Sequence, residues 1–229
     1  MKQATGHINL FQSISDRISR SGYWLIGLVI VLPLIAYIGV YWYEHKYNTL
    51  PIYAKNNLEA TGVQDAATLP AFSFTDQNQH QFGSAAIKNK ITIAHFFFAS
   101  CPSICPKMMR EMERVQDKYG KDEDVMLLSF TVDPEHDTPE RLCDYGKVYK
   151  VGDKWKLLTG DKKTLYWFAR KGLYITATDG DGGPTDFIHS DRIVLLDHKQ
   201  QIRGYYNGTS DKEVNLLIND IKKLKNEAN

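Results

Sequence analysis

The sequence predicts an α/β three-layer sandwich carried behind a single N-terminal membrane helix, and three patterns predict it. Residues 23–43 form an uncharged, strongly apolar run. Residues 91–98 (ITIAHFFF) and 125–132 (VMLLSFTV) are near-continuous apolar stretches separated by a segment of helical period. Such stretches read as central strands buried on both faces, covered by helices. Residues 192–196 and 201–206 form a late strand pair before a final helix. Strands alternating with helices and ending in a hairpin assemble as this architecture. The 229 residues suit one ordinary domain plus an appendage. With 43% hydrophobic and 24% charged residues, the chain is neither disordered, collagenous nor a disulfide framework. A formal net charge of +1 argues against a nucleic-acid partner. Three cysteines are too few to staple a secreted mini-fold but enough for one redox or metal site.

Residues 1–22 read as a short cytoplasmic N-terminus and 23–43 as the transmembrane anchor. About 20 apolar residues span a bilayer as a helix. Tyr23 and Trp24 at one end and Tyr41, Trp42 and Tyr43 at the other match the two water–lipid interfaces. Pro33 is tolerated, because helix breaks in membranes are re-satisfied locally. A cleaved signal peptide would end in small residues, whereas bulky aromatics and Glu44-His45-Lys46 follow. Lys2, Arg17 and Arg20 outweigh Lys46 and Lys55, so the N-terminus stays inside and the large C-terminal part outside. Residues 44–67 show no sustained period and read as a linker, leaving 68–229 as the folded domain.

Within that domain, 72–75 and 82–83 flank polar residues and predict a hairpin. Met108, Met109, Met112, Val115 and Tyr119 recur at helical spacing up to Gly120, a natural stop. Thr138 caps a helix with Pro139 at its first position. A short strand over 155–159 precedes a helix over 161–171 closed by Gly172. A glycine-rich loop over 179–185 leads to the late hairpin. Ser210 and Glu213 form a capping box for the last helix.

The chemistry concentrates in Cys101-Pro102-Ser103-Ile104-Cys105-Pro106, at a strand-to-helix junction. Helix N-termini favour anions and lower thiol pKa values. A four-residue step puts both sulfurs on one side of a helical turn. Three readings stay open on spacing alone. A dithiol–disulfide pair normally uses CxxC. Two soft thiolates select copper(I) or zinc but need a third donor. Packed free cysteines are common small hydrophobes. Among the histidines, His7 and His45 flank the anchor, His80 and His198 lie in polar turns, and His95 sits inside a buried strand as a hydrogen-bonded core residue. His136 follows the Val132-Asp133-Pro134 turn and is a lesser candidate. His189 ends the glycine-rich loop, where it can swing onto two thiolates. Position alone does not choose among them. Cys143 reads as buried and structural.

The runs FFFASCPSICPKM, TVDPEHDTPERL, DFIHSDRIVLLD and IRGYYNGT resemble the Sco/SenC family, over about Leu69 to Ile221 plus the anchor. The resemblance implies a thioredoxin-like fold and a membrane-anchored copper protein that helps assemble the copper A centre of cytochrome c oxidase. It implies copper ligation, as Cu(I) or Cu(II), by Cys101, Cys105 and His189, with Cys101 and Cys105 also the redox-active pair. Asp133 and Pro134 match the family's VDP turn, read as structural, and His95 stands where an acidic or aliphatic residue is expected. The implied partners are cytochrome c oxidase subunit II and an upstream copper donor or thiol reductant. The role is that of a metallochaperone first, with thiol–disulfide exchange as the alternative and peroxide reduction a third reading. The short lead before the anchor favours a bacterial inner membrane, with the domain in the periplasm.

Overall fold

The computed structural model describes residues 20–47, 49–53, 60–61, 68–175, 188 and 190–227. The chain divides into two compact units, Met1–Thr49 and Leu50–Asn229. The first contains helix α1 (Arg20–Tyr47), which runs through Pro33. Its side chains are described over 27–43, and every one from 28 to 43 is exposed. Residues 23–26 of the expected anchor lie outside the described side chains. Among the described residues no helix is long and apolar enough to cross a membrane.

The second unit is a mixed α/β fold around a seven-stranded sheet among the described residues. Its strands are β3 (Ser73–Asp76), β4 (Gln81–Gly83), β5 (Ile91–Phe97), β6 (Val125–Thr131), β7 (Trp155–Thr159), β8 (Arg192–Leu196) and β9 (Ile202–Asn207). They lie in the order β4-β3-β7-β6-β5-β8-β9. The central β5, β6 and β7 are parallel, and the remaining pairings are antiparallel. Each central parallel step is a strand–helix–strand crossover, through α2 (Ile104–Tyr119) and α3 (Pro139–Val148).

All seven residues of both β5 and β6 are buried. Alternate side chains feed opposite faces, so a strand covered on both sides is apolar throughout. Ile91, Ile93 and Phe97 meet Met108, Met112 and Val115 of α2, and Val214, Leu217 and Ile221 of α5 (Asp211–Glu227), on one face. Ala94 and Phe96 meet Leu165 and Tyr166 of α4 (Lys162–Trp167) on the other. Helix, sheet and helix thus make the three expected layers. The Thr138 cap forms as read, and of the Ser210–Glu213 capping box the Ser210 half forms, the Ser210 N–H going instead to Asn207 O at 3.2 Å. Thr138 Oγ1 accepts from the Arg141 N–H at 3.3 Å, and Ser210 Oγ accepts from the Glu213 N–H at 3.4 Å. The helix expected over 161–171 ends instead in a wider π turn over Phe168–Gly172.

Within 44–67, read as linker, helix α1 continues to Tyr47 and a two-residue hairpin forms from β1 (Ile52–Tyr53) and β2 (Ala60–Thr61). Two-residue strands are too short to display a period, so sequence alone does not reveal them. The Tyr53 ring sits edge-on to Tyr205 of β9, centroids 5.2 Å apart. Buried Arg203 fastens the same segment. Its guanidinium donates to Leu50 O at 2.7 Å and Pro51 O at 3.2 Å, and pairs with Asp197 at 3.0 Å and Glu227 at 2.8 Å. Cys143, read as buried, is half-buried instead. The face that α3 buries carries Leu142, Tyr145, Gly146 and Tyr149, at helical spacing, and Cys143 lies beside that stripe.

Candidate dithiol and metal site

Strand β5 ends at Phe97, and a tight turn carries the chain into α2. The Cys101 N–H donates to Phe98 O at 3.2 Å, closing that turn. Ser103 stands at the N-cap of α2 but its side chain makes no cap bond. The backbone N–H groups of Ser103, Cys105 and Ile104 lie around the Cys101 sulfur instead and favour its anion. The first N–H groups of any helix lack intrahelical partners, and their positive end of the helix dipole favours an anion.

The two thiols are therefore unequal. Burial opposes ionisation of Cys101, but the backbone donors and the Cys105 thiol outweigh it and hold its pKa below the usual thiol value. Cys105, 2% exposed, is pushed up to about 12 by burial, with a contact to the Phe98 backbone only partly offsetting this. Negative charge on Cys101 and on Asp137 adds to the upward push. Cys101 is the more readily ionised of the pair, and the Cys105 thiol is the one that keeps its proton and donates toward Cys101.

Asp137 is a site residue that reading the sequence misses. Its side chain is fully buried. One oxygen accepts from the Ala99 N–H at 3.0 Å and from the Thr131 hydroxyl at 2.6 Å. The other faces the Arg141 guanidinium at 3.6 Å. Asp137 thereby ties the turn before Cys101 to the end of β6. Burial raises its pKa, offset in part by those two hydrogen bonds. The signal was present in TVDPEHDTPERL, but an acid in a turn gives no sign of folding inward. Asp133, by contrast, binds His136 Nδ1 at 2.9 Å on the surface, consistent with a turn-forming role.

The histidines separate clearly. His95 is fully buried, 2.6 Å from the Ser129 hydroxyl, which also accepts from the Trp155 indole at 2.8 Å. Burial lowers its pKa to about 4, so it is a neutral core residue, as read. His136 and His80 are exposed and pair with Asp133 and Asp76. His189 lies outside the described residues, as does the loop over 179–185. Its neighbours are described: Ile188 is buried, and Ser190 Oγ accepts from the Arg192 N–H at 3.2 Å. Among the described residues no three His, Cys, Asp or Glu side chains gather as a metal site. The two thiols alone offer a soft pair that lacks its third donor.

Residues 60–226 match the profile of the SCO1/SenC family. A Bacillus subtilis protein described as an SCO1 protein homolog is 29% identical over 154 residues, spanning 66% of this chain and 79% of its own. The structure of BsSco, described as having a disulfide switch and as a member of the Sco family of cytochrome c oxidase assembly proteins, superposes with a TM-score of 0.60. It is 26% identical and covers 73% of this chain and 99% of its own. The structure of Bradyrhizobium japonicum ScoI with copper bound gives a TM-score of 0.56 at 25% identity, covering 69% of this chain and 99% of its own.

Proposed function

We propose a function from one premise: this chain belongs to the SCO1/SenC family, and its fold is the thioredoxin-like α/β sandwich of Sco proteins. The chain is a copper-binding factor for cytochrome c oxidase assembly. The observation that carries this reading is the dithiol at the start of α2, two buried thiols of which backbone N–H groups lower the pKa of Cys101 and burial raises that of Cys105. Two thiolates select Cu(I) and related soft ions. Relatives of the same fold are described as copper-bound and as having a disulfide switch.

The third ligand in this reading is His189. It follows buried Ile188 and precedes β8, whose pairing sets Ile193 opposite His95. That register puts the start of β8, at Arg192, at the end of the sheet from which Cys101 emerges. Two sulfurs and one nitrogen leave a position open for a ligand of the recipient, so copper passes by exchange without release. Binding needs deprotonated ligands and so weakens as pH falls. The recipient is the copper A site of cytochrome c oxidase subunit II, and loading requires a copper donor or a thiol reductant upstream.

The anchor belongs to this reading too. What supports it is the run 23–43, which carries no charge and has aromatic residues at both ends. A single pass with the N-terminus inside leaves the domain in the periplasm of a bacterium, tethered to the plane of its partner.

A second reading is favoured by the unequal thiols. Cys101 as thiolate attacks a recipient disulfide, forming a mixed disulfide and releasing one recipient thiolate. Cys105, on losing its proton, displaces the second thiolate and closes the Cys101–Cys105 disulfide. The recipient is reduced by two electrons and this chain is oxidised by two. Copper titration of the reduced full chain in detergent separates the two readings. Stoichiometric binding that Cys101→Ser or Cys105→Ser abolishes and His189→Ala weakens at least tenfold supports the copper site. Affinity untouched by His189→Ala removes that residue from the ligand set.

A further inference from the structure

Two turns at one end of the sheet are locked together and carry positive charge. Residues 87–90 lead into β5, and residues 197–200 join β8 to β9. The Gln200 side-chain amide binds both turns. Its Nε2 donates to Ile87 O and Lys90 O, each at 2.9 Å, and to Asp197 O at 3.3 Å. Lys88 and Lys199 stand exposed on these turns, with Lys90 and His198 half-buried beside them. Among the described residues neither Lys88 nor Lys199 makes an ion pair. Lys90 Nζ donates to the Glu123 carbonyl oxygen at 2.5 Å.

The acids of this region are already engaged. Asp197 accepts from the Lys199 and Gln201 N–H groups at 2.9 and 3.0 Å, and from Arg203 Nη1 at 3.0 Å. Glu227 holds Arg203 and the Leu50 N–H, and Glu123 holds Lys154. Toward β6 the basic patch stops at Asp124, whose carbonyl accepts from the Ile91 N–H at 2.7 Å.

The same turns receive the chain from the expected anchor. Arg203, paired with Asp197, holds Leu50 and Pro51 by their carbonyls. Seven residues, 44–50, lead from the end of the apolar run at Tyr43 to that clasp. Even fully extended, a chain of that length reaches at most about 25 Å. A domain tethered so closely keeps its clasped end near the lipid surface, where weak contacts act at high effective concentration.

We propose that Lys88, Lys90 and Lys199 form a docking surface for the anionic headgroups of the membrane, which turns the end bearing Cys101 and Cys105 toward the aqueous side. This rests on the anchor reading given above. Ammonium groups on long flexible stems reach headgroup phosphates, and each is drawn to an anionic surface within about a Debye length.

The test reconstitutes the full chain in vesicles of phosphatidylcholine alone and of phosphatidylcholine with phosphatidylglycerol. A membrane-impermeant acylating reagent labels the lysines of outward-facing copies, and peptide mass mapping reads the rate at each. Lys88, Lys90 and Lys199 are expected to react roughly threefold or more slowly on the anionic vesicles, and to recover in high salt. Lys107, exposed near the start of α2, is expected to react alike on both. In Lys88→Glu/Lys199→Glu the slowing at Lys90 is expected to vanish. Equal rates at Lys88 and Lys199 on the two vesicles, or a slowing at Lys107 as large as theirs, overturns the proposal. So does a slowing at Lys90 that survives the double reversal. A chain that does not float with neutral vesicles removes the anchor reading and this inference with it, whereas a floating chain with equal rates removes this inference alone.

Discussion

At the scale of single residues, two cysteines of identical chemistry are driven apart by burial, three backbone N–H groups and a carboxylate. Cys101 sits where a helix lacks partners, and Cys105 sits inside, beside Asp137. Alkylation at neutral pH is expected to modify Cys101 well before Cys105, as peptide mass mapping would show. In Asp137→Asn the charge that opposes Cys105 ionisation is gone while an acceptor for Ala99 remains. The pH midpoint for Cys105 alkylation is expected to fall, and an unchanged midpoint would remove Asp137 from the pair's electrostatics. The cysteine motif was legible in the chain because its spacing carries the chemistry. Asp137 was not, because it becomes a neighbour of the thiols only when the turn before α3 folds against the ends of β5 and β6. His95 was legible as a core residue from the apolar run around it.

At the scale of elements, periodicity carried most of the information. The buried runs became β5 and β6, and the methionine stripe became the buried face of α2. What escaped was short or set by distant partners: β1, β2 and the Arg203 cluster. Arg203 is 7% exposed and is shared by Asp197, Glu227 and two backbone carbonyls. Removing one member of a buried ionic cluster strands the others, at a cost of about 3–5 kcal/mol. Arg203→Ala is expected to lose roughly that amount in urea unfolding and to expose Leu50 and Pro51 to limited proteolysis. A loss under about 1 kcal/mol would show that the cluster breaks even against solvation.

At the scale of the whole molecule, stability carries a pH signature from His95. The unfolded chain takes up a proton on this residue near 6.5, the folded one only near 4. Unfolding therefore binds a proton across that window, and stability is fully present above it and lost as pH falls through it. A shift of this size is on the order of 3 kcal/mol. The difference in urea midpoint between pH 7 and pH 4.5 is expected to be smaller in His95→Gln than in the wild-type chain. Equal differences would mean that another group dominates the acid limb.

The Arg203 cluster also has a mechanical meaning. Ile202 pairs with Leu196, which pairs with Thr92, so the clasp on Leu50 and Pro51 grips the strand end where β5 begins. The thiols emerge where β5 finishes, roughly 20 Å away at about 3.3 Å per residue. A pull on the segment before β1 is thus taken up at the end of the sheet opposite the thiols, whose geometry stays undisturbed.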